Sequence, residues 1–242
     1  MTGPAPDLAE RQRQFNGAMA KYCAGKRYQR FGMGVALANV SLQLWLLWQV
    51  LPLVIGVGGQ VCAVVCAWLL ADFVNGLVHM YMDSNDRYES IDGPLIANFH
   101  LHHKTPRYQL KPVVVVYFVE SGSKVWLVPV LLLTALMSRY AVLYPLLFHV
   151  LVYFGVASSL AEVSHYLCHT STSGVVQLLA RCRILLPKRH HAGHHLNDNT
   201  QYAFLNGVSD PLLNLLAARF CRGYKGHTDL HYAQYQVDGD SR

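Results

Sequence analysis

Residues 140–161 have the sequence YAVLYPLLFHVLVYFGVASSLA, and the chain continues as EVSHYLCH over residues 162–169. The first part is apolar enough for a membrane-spanning helix, because a hydrocarbon core of about 30 Å needs about 20 helical residues. The second part contains Glu162, His165 and His169, which a continuing helix places on one stripe. The stretch therefore predicts a transmembrane helix that ends in metal-ligating side chains.

The whole chain combines an apolar body with many imidazoles. Of its 242 residues, 52% are hydrophobic and 14% are charged, whereas soluble domains carry about 25% charged residues. The chain nevertheless contains 13 histidines. This composition excludes a disordered chain, a secreted disulfide scaffold and an ordinary soluble enzyme. The net charge of +6 fits basic loops beside an anionic membrane surface better than nucleic-acid binding.

Apolar runs predict four spans, so the expected fold class is all-α, a four-span helical integral membrane protein. If the third span begins at residue 125, it is shorter than a membrane crossing needs. The alternative is that it begins near Val113, as a tilted or re-entrant segment. The spans are expected at about 32–51, 60–82, 120–137 and 140–161. A membrane domain over 32–215 then lies between an amino-terminal tail, 1–31, and a polar carboxy-terminal tail, 216–242. The first tail has no apolar segment with a cleavage site, so no removable signal peptide is expected.

The distribution of Lys and Arg predicts the orientation of these spans. Six lie in residues 1–31, five in 84–124 and eight after residue 170, whereas the two other connections contain only Arg139. The positive-inside rule therefore places both termini in the cytoplasm, at a bacterial inner membrane or an endoplasmic reticulum membrane. Ten of the histidines fall on that side, which predicts a cytoplasmic histidine-rich metal-binding cap.

Four histidine motifs, at 79–83, 100–103, 165–169 and 190–195, make up this cap. The last lies in KRHHAGHH, residues 188–195, and has more imidazoles than one tetrahedral zinc needs, so it can serve two neighbouring metals. Imidazole-rich ligation without thiolates suits iron, copper, zinc or nickel. Two simpler interpretations stay open. One is that an aspartate at the end of the second span forms an ion pair with a basic side chain in a loop, and the other is that the last motif is a solvated basic face.

The absence of two motifs narrows the function classes. No His-Glu-x-x-His is present, which disfavours a zinc protease, and no Gly-x-Ser-x-Gly is present, which disfavours a serine hydrolase. His149 lies on another face of the fourth span, so we expect it to be a packing residue. His227 and His231 lie in the polar tail and are expected at the surface.

The order of these motifs resembles the Kua family of lipid desaturases, which includes plasmanylethanolamine desaturase and the plastid phosphatidylglycerol desaturases. The resemblance covers about residues 65–215. Three features depart from it: Asn199, where many ether-lipid desaturases have a further His, Glu162, where relatives often have Asn, and the stretch 206–211, which lacks the aromatic residues usual after the last histidine motif. The residues that carry the resemblance are Asp72 to His79 with Asp83, His102-His103 followed by Pro106, His165 with His169, and His190-His191-x-x-His194-His195 with Tyr202.

This resemblance implies a di-iron centre that uses O2 as co-substrate and electrons from an external donor to desaturate a lipid alkyl or acyl chain. A plasmanylethanolamine-type ether lipid, converted to the vinyl ether of a plasmalogen, is the implied example. The implied partners are a membrane lipid substrate and a cytochrome b5- or ferredoxin-like electron-transfer protein, with no nucleic acid. The implied catalytic carboxylates are Asp83, Glu162 and Glu120. The implied metal ligands are His79, His102, His103, His165, His169, His190, His191, His194 and His195.

Two other functions stay open from the sequence. A histidine-box lipid hydroxylase shares the same motifs and differs in the product. A membrane metal-ion transporter is the alternative from another class, because His79-x-x-x-Asp83 resembles the intramembrane site of cation-diffusion transporters. A transporter needs ligands near the bilayer midplane, whereas these motifs gather at the ends of the spans.

Overall fold

The computed structural model describes residues 7–104 and 110–236, and every regular element in these ranges is a helix. The all-α prediction is therefore confirmed for this part of the chain. Pro106 and the outer ends of both predicted tails, 1–6 and 237–242, lie outside the described residues. The α-helices are α1 (Leu8–Cys23), α2 (Arg27–Val50), α3 (Gly56–Ser84), α4 (Gly93–Lys104), α5 (Val113–Glu120), α6 (Leu127–Met137), α7 (Pro145–Thr170), α8 (Gly174–Arg181), α9 (Lys188–Leu196) and α10 (Asp210–Phe220).

Three helices, α2, α3 and α7, are long and apolar enough to cross a membrane by length and composition. A fourth span is present if the bent pair formed by α5 and α6 is counted as one. The helix α7 begins at Pro145, whose fixed φ suits the first helical turn, and it continues to Thr170 beyond the predicted apolar run. These helices are compatible with a multi-pass membrane protein.

The third predicted span, 120–137, is not one helix. A 3₁₀ turn, Ser121–Ser123, follows α5, and the chain then bends by 95° before α6. The Asn39 side chain of α2 donates hydrogen bonds to the carbonyl oxygens of Ser121 and Lys124, at 2.9 and 3.0 Å. Since helix ends leave carbonyl groups without intrahelical partners, the neighbouring helix stabilises the bend.

The helices α3 and α7 form the centre of the bundle. Small side chains line their packing faces, including Ala67 and Ala71 of α3 and Ala157 and Ala161 of α7, each no more than 3% exposed. Small residues allow helix backbones to approach closely within a membrane. Both helices carry predicted metal ligands near their carboxyl ends, His79 in α3 and His165 and His169 in α7, so they bring these side chains to the same end of the bundle.

The two predicted tails pack together at that end. The Phe15 ring of α1 lies 5.4 Å from the ring of Tyr88 and 5.9 Å from that of Tyr232, between centroids. The expectation that His231 lies at the surface is wrong: it is 4% exposed, and its Nδ1 lies 3.0 Å from the Tyr88 hydroxyl. Packing against α1 buries it, which the local sequence does not reveal.

A close backbone approach at Gly122 gives a test of this packing. A Cβ atom at Gly122 would lie 2.4 Å from the carbonyl oxygen of Gly32, which belongs to the α2 backbone and cannot rotate away. We expect Gly122→Ala to lower the free energy of unfolding by about 1–3 kcal/mol through overpacking. Gly34→Ala is the control, because a Cβ there meets nothing within 4 Å. Thermal unfolding in detergent is the measurement, and equal midpoints for the two variants would contradict the packing.

Candidate metal centre

Within residues 7–104 and 110–236, two groups of side chains could each hold a metal ion. In each group, the ligand atoms all lie within 4.8 Å of one another. The first cluster consists of His102, His165, His169 and His191. The second cluster consists of His79, Asp83, His103 and His194.

Two short helices supply ligands to both clusters. In α4, His102 belongs to the first cluster and the next residue, His103, to the second. In α9, His191 belongs to the first cluster and His194 to the second. The His102 and His103 rings are 6.3 Å apart between centroids, and the His191 and His194 rings are 5.7 Å apart. The two clusters therefore lie side by side.

Backbone carbonyl groups orient two imidazoles of the second cluster. The Nδ1 of His79 lies 2.7 Å from the carbonyl oxygen of Tyr202, and the Nδ1 of His194 lies 2.8 Å from that of Thr200. Because a carbonyl oxygen only accepts, each Nδ1 must carry the proton and donate it. In the neutral ring, Nε2 then has a lone pair directed at the cluster, as in metal-ligating histidines.

The carboxylate of Asp83 lies among these nitrogens. It is 0% exposed, and neither of its oxygens accepts a hydrogen bond from the described residues. The Nε2 atoms of His79, His103 and His194 lie 3.6, 3.4 and 3.5 Å from it. A buried carboxylate without donors costs several kcal/mol. Three imidazoles and one buried, negatively charged carboxylate fit a divalent transition metal.

The first cluster contains imidazoles alone. The Nε2 atoms of His165 and His191 are 2.9 Å apart, and those of His165 and His169 are 3.2 Å apart. His195 lies against this cluster, with its Nε2 3.0 Å from that of His191. Imidazole nitrogens without an acidic partner suit iron, zinc, copper or nickel.

The electrostatic environment favours the ligating form of most cap histidines. Burial, together with neighbouring imidazoles, lowers the pKa of His102, His191 and His194 well below its ordinary value, and lowers the pKa of His195 to about 3. These rings are neutral at physiological pH. At His103, burial is outweighed by Asp83 and Asp229, which raise its pKa. The two carboxylates attract positive charge to that ring.

The remaining predicted carboxylates, Glu162 and Glu120, belong to neither cluster. Glu162 forms an ion pair with the buried Lys124, at 2.8 Å, and Lys124 also donates to the side-chain oxygen of Asn75. Glu120 ends α5 half-buried near Glu162. Lys124, counted among the basic loop residues, is therefore an internal cation.

The Phe204 ring contacts both this ion pair and the metal clusters. Its centroid lies 5.3 Å from the ring of His79 and 5.4 Å from the ring of His165. The Lys124 ammonium lies 5.0 Å from the same centroid, within cation–π range. Phe204 thus contacts a ligand of each cluster and the internal cation.

Of the nine predicted histidines, eight lie in or against the clusters and His190 does not. Its Nε2 contacts a carboxylate oxygen of Asp210, and its Nδ1 lies 3.3 Å from the side-chain amide of Gln201. Asp210 also accepts a hydrogen bond from the backbone of Ala203, at 2.9 Å. His190 therefore connects α9 to the start of α10.

Asp72, on the same stripe of α3 as His79, has a structural partner. Its carboxylate accepts hydrogen bonds from the backbone nitrogens of Asn206, Gly207 and Ser209, at 2.8, 3.1 and 2.9 Å. The Ser209 hydroxyl donates to it as well. Asp72 thus fixes the loop that precedes α10.

The sequence interpretation missed residues in the carboxy-terminal segment. Asp229 lies 2.9 Å from the Nδ1 of His103, and the Tyr224 hydroxyl contacts His194. Both were assigned to a polar tail. The local sequence carries no signal for a contact between residues so distant along the chain.

A surface cavity of about 270 Å³ reaches the first cluster. His169, His191 and His195 form part of its wall. Cys168, Lys188, Ala192 and Leu196 complete the lining. Two residues of the first cluster, His169 and His191, therefore line a cavity at the protein surface.

Comparison with known proteins identifies one family. The sequence model of a family described as the lipid desaturase domain matches residues 68–221. The match confirms the resemblance predicted from the histidine motifs, and it includes all the residues of both clusters. No curated protein matches the chain, and no solved structure does.

The separation of His190 from the clusters gives a test of the metal centre. We expect His194→Ala to lower the metal content by about one ion per chain, because it removes a ligand of the second cluster. His190→Gln should leave the metal content unchanged, although it is only four positions away. Elemental analysis of the purified variants is the measurement, and equal losses would contradict the assignment.

Proposed function

Because this chain belongs to the lipid desaturase domain family, we propose that it is a membrane-bound di-iron, O2-dependent lipid desaturase. The observation that carries the proposal is the adjacency of two ligand clusters at one end of an apolar helical bundle. When bound, a pair of irons would catalyse the reduction of O2. In the overall reaction, O2, two electrons, two protons and two hydrogens from neighbouring chain carbons yield two waters and an alkene.

The residues of the chain hold and orient this centre. The first cluster would hold one iron through imidazoles, and the second would hold the other through three imidazoles and Asp83. The carbonyl groups of Tyr202 and Thr200 fix the ligating faces of His79 and His194. Their burial excludes bulk water from the second cluster, which limits competing reactions.

The proposed substrate is a lipid alkyl or acyl chain, with a plasmanylethanolamine-type ether lipid as the candidate. The apolar helices α2, α3 and α7 provide a hydrocarbon environment for such a chain directly beside the clusters. The resemblance to the Kua family supports the ether lipid.

The proposed orientation places both termini and the metal centre in the cytoplasm. Both tails lie at the histidine end of the bundle, since α1 packs on α4 and on the turn Thr228–Tyr232. Most loop Lys and Arg residues belong to segments at this end, which the positive-inside rule assigns to the cytoplasm. There a cytochrome b5- or ferredoxin-like donor would supply the electrons.

The test is conversion of a defined lipid. The purified protein, in vesicles containing a plasmanylethanolamine-type ether lipid, receives O2 and a reduced ferredoxin, and mass spectrometry follows the lipid. We expect a product with two hydrogens fewer. His165→Ala should abolish it because a first-cluster ligand is lost.

The control is His149→Gln. His149 is also buried in α7, but its Nδ1 contacts the carbonyl oxygen of Pro145 at the other end of the helix, so this variant should keep the activity. A product that gains one oxygen atom would indicate a hydroxylase instead. Metal flux across the vesicles without O2 consumption would indicate a transporter.

A further inference from the structure

The segment Tyr224–Tyr232 lies beyond the matched family domain, which ends at residue 221, and it packs on the second cluster. The Tyr224 hydroxyl lies within hydrogen-bond distance of the backbone carbonyl oxygens of His194 and Asn197, between which it shares its one hydrogen. The Thr228 hydroxyl donates to the backbone carbonyl of Asp83, at 2.6 Å. The segment thus contacts two of the elements that carry second-cluster ligands.

One side chain of this segment contacts a ligand ring directly. An oxygen of Asp229 lies 2.9 Å from the Nδ1 of His103, and both side chains are at most 10% exposed. The Nε2 of the same ring then faces inward, 3.4 Å from Asp83 and 3.2 Å from the Nε2 of His194. Asp229 therefore binds the outer nitrogen of the His103 ring and, by doing so, orients the inner nitrogen, Nε2, towards the second cluster.

His103 differs in this respect from the other two imidazoles of its cluster. His79 and His194 donate from Nδ1 to backbone carbonyl groups, which are neutral. Only His103, among the three, has a carboxylate as its Nδ1 partner. A carboxylate behind an imidazole fixes the ring and makes its other nitrogen a stronger donor to a metal.

We propose that Asp229 is a positioning residue of the second cluster, which orients His103 and strengthens its binding of a divalent transition metal. The proposal rests on the proposed function, since it requires that the cluster hold a metal. It extends the metal centre beyond the family domain, to a carboxylate that is no ligand itself. Lys225, 2.9 Å from the other Asp229 oxygen, holds the carboxylate in place.

The competing explanation is that Asp229 only attaches the carboxy-terminal segment to the protein. Asp86 provides a matched control for it. Asp86 pairs with Arg11 and with His227, each at 3.3 Å, so it joins the same segment to α1, and none of these residues belongs to a cluster. A purely structural role predicts the same effects for both aspartates.

The experiment is a Co²⁺ titration of the full chain, purified in detergent and stripped of metal with a chelator. The wild type should bind two Co²⁺ ions. We expect Asp229→Ala to weaken one of the two sites about 10–100-fold and to change its visible absorption spectrum, with the other site unchanged. Asp229→Asn keeps a hydrogen-bond acceptor without the charge, so it should change the same spectrum with a smaller loss of affinity. Asp86→Ala should leave both sites unchanged.

Two outcomes would overturn the inference alone. One is wild-type affinity and spectrum at both sites in both Asp229 variants, and the other is an equal loss in Asp86→Ala. A wild-type chain that binds no pair of Co²⁺ ions would overturn the proposed function as well. The wild-type titration thus separates the two failures.

Discussion

The buried carboxylate of Asp83 imposes the constraint on which this structure depends. Three imidazole nitrogens surround it, two of them with lone pairs directed inward by their backbone partners. Negative charge and lone pairs gathered in a site without solvent repel one another unless positive charge lies among them. The pKa of His103 is raised because the nearby carboxylates favour a positive charge on its ring. A bound cation would supply positive charge to the whole cluster.

The helical bundle makes this arrangement possible. The helices α3 and α7 pack together through alanines and carry His79 and His165 near their carboxyl ends, and both of these rings contact Phe204. The short helices α4 and α9 each divide their histidines between the two clusters. Because each short helix serves both clusters, the separation of the clusters is set by side-chain spacing on rigid helices.

The sequence predicts the long helices and the converging histidines well, because apolar runs and helical spacing are local properties. It does not predict which of two neighbouring histidines faces the clusters. His190 pairs with Asp210, whereas His191 belongs to the first cluster. It also does not predict Asp229, whose contact with His103 joins distant parts of the chain. The bend before α6 depends likewise on Asn39 of another helix. These features are set by tertiary contacts.

Anomalous X-ray scattering at the iron absorption edge, from crystals of the purified protein, tests the central claim most directly. The account predicts two iron peaks, one among the imidazoles of the first cluster and one beside Asp83 in the second. A single peak, or scattering at the zinc edge in place of iron, would contradict it.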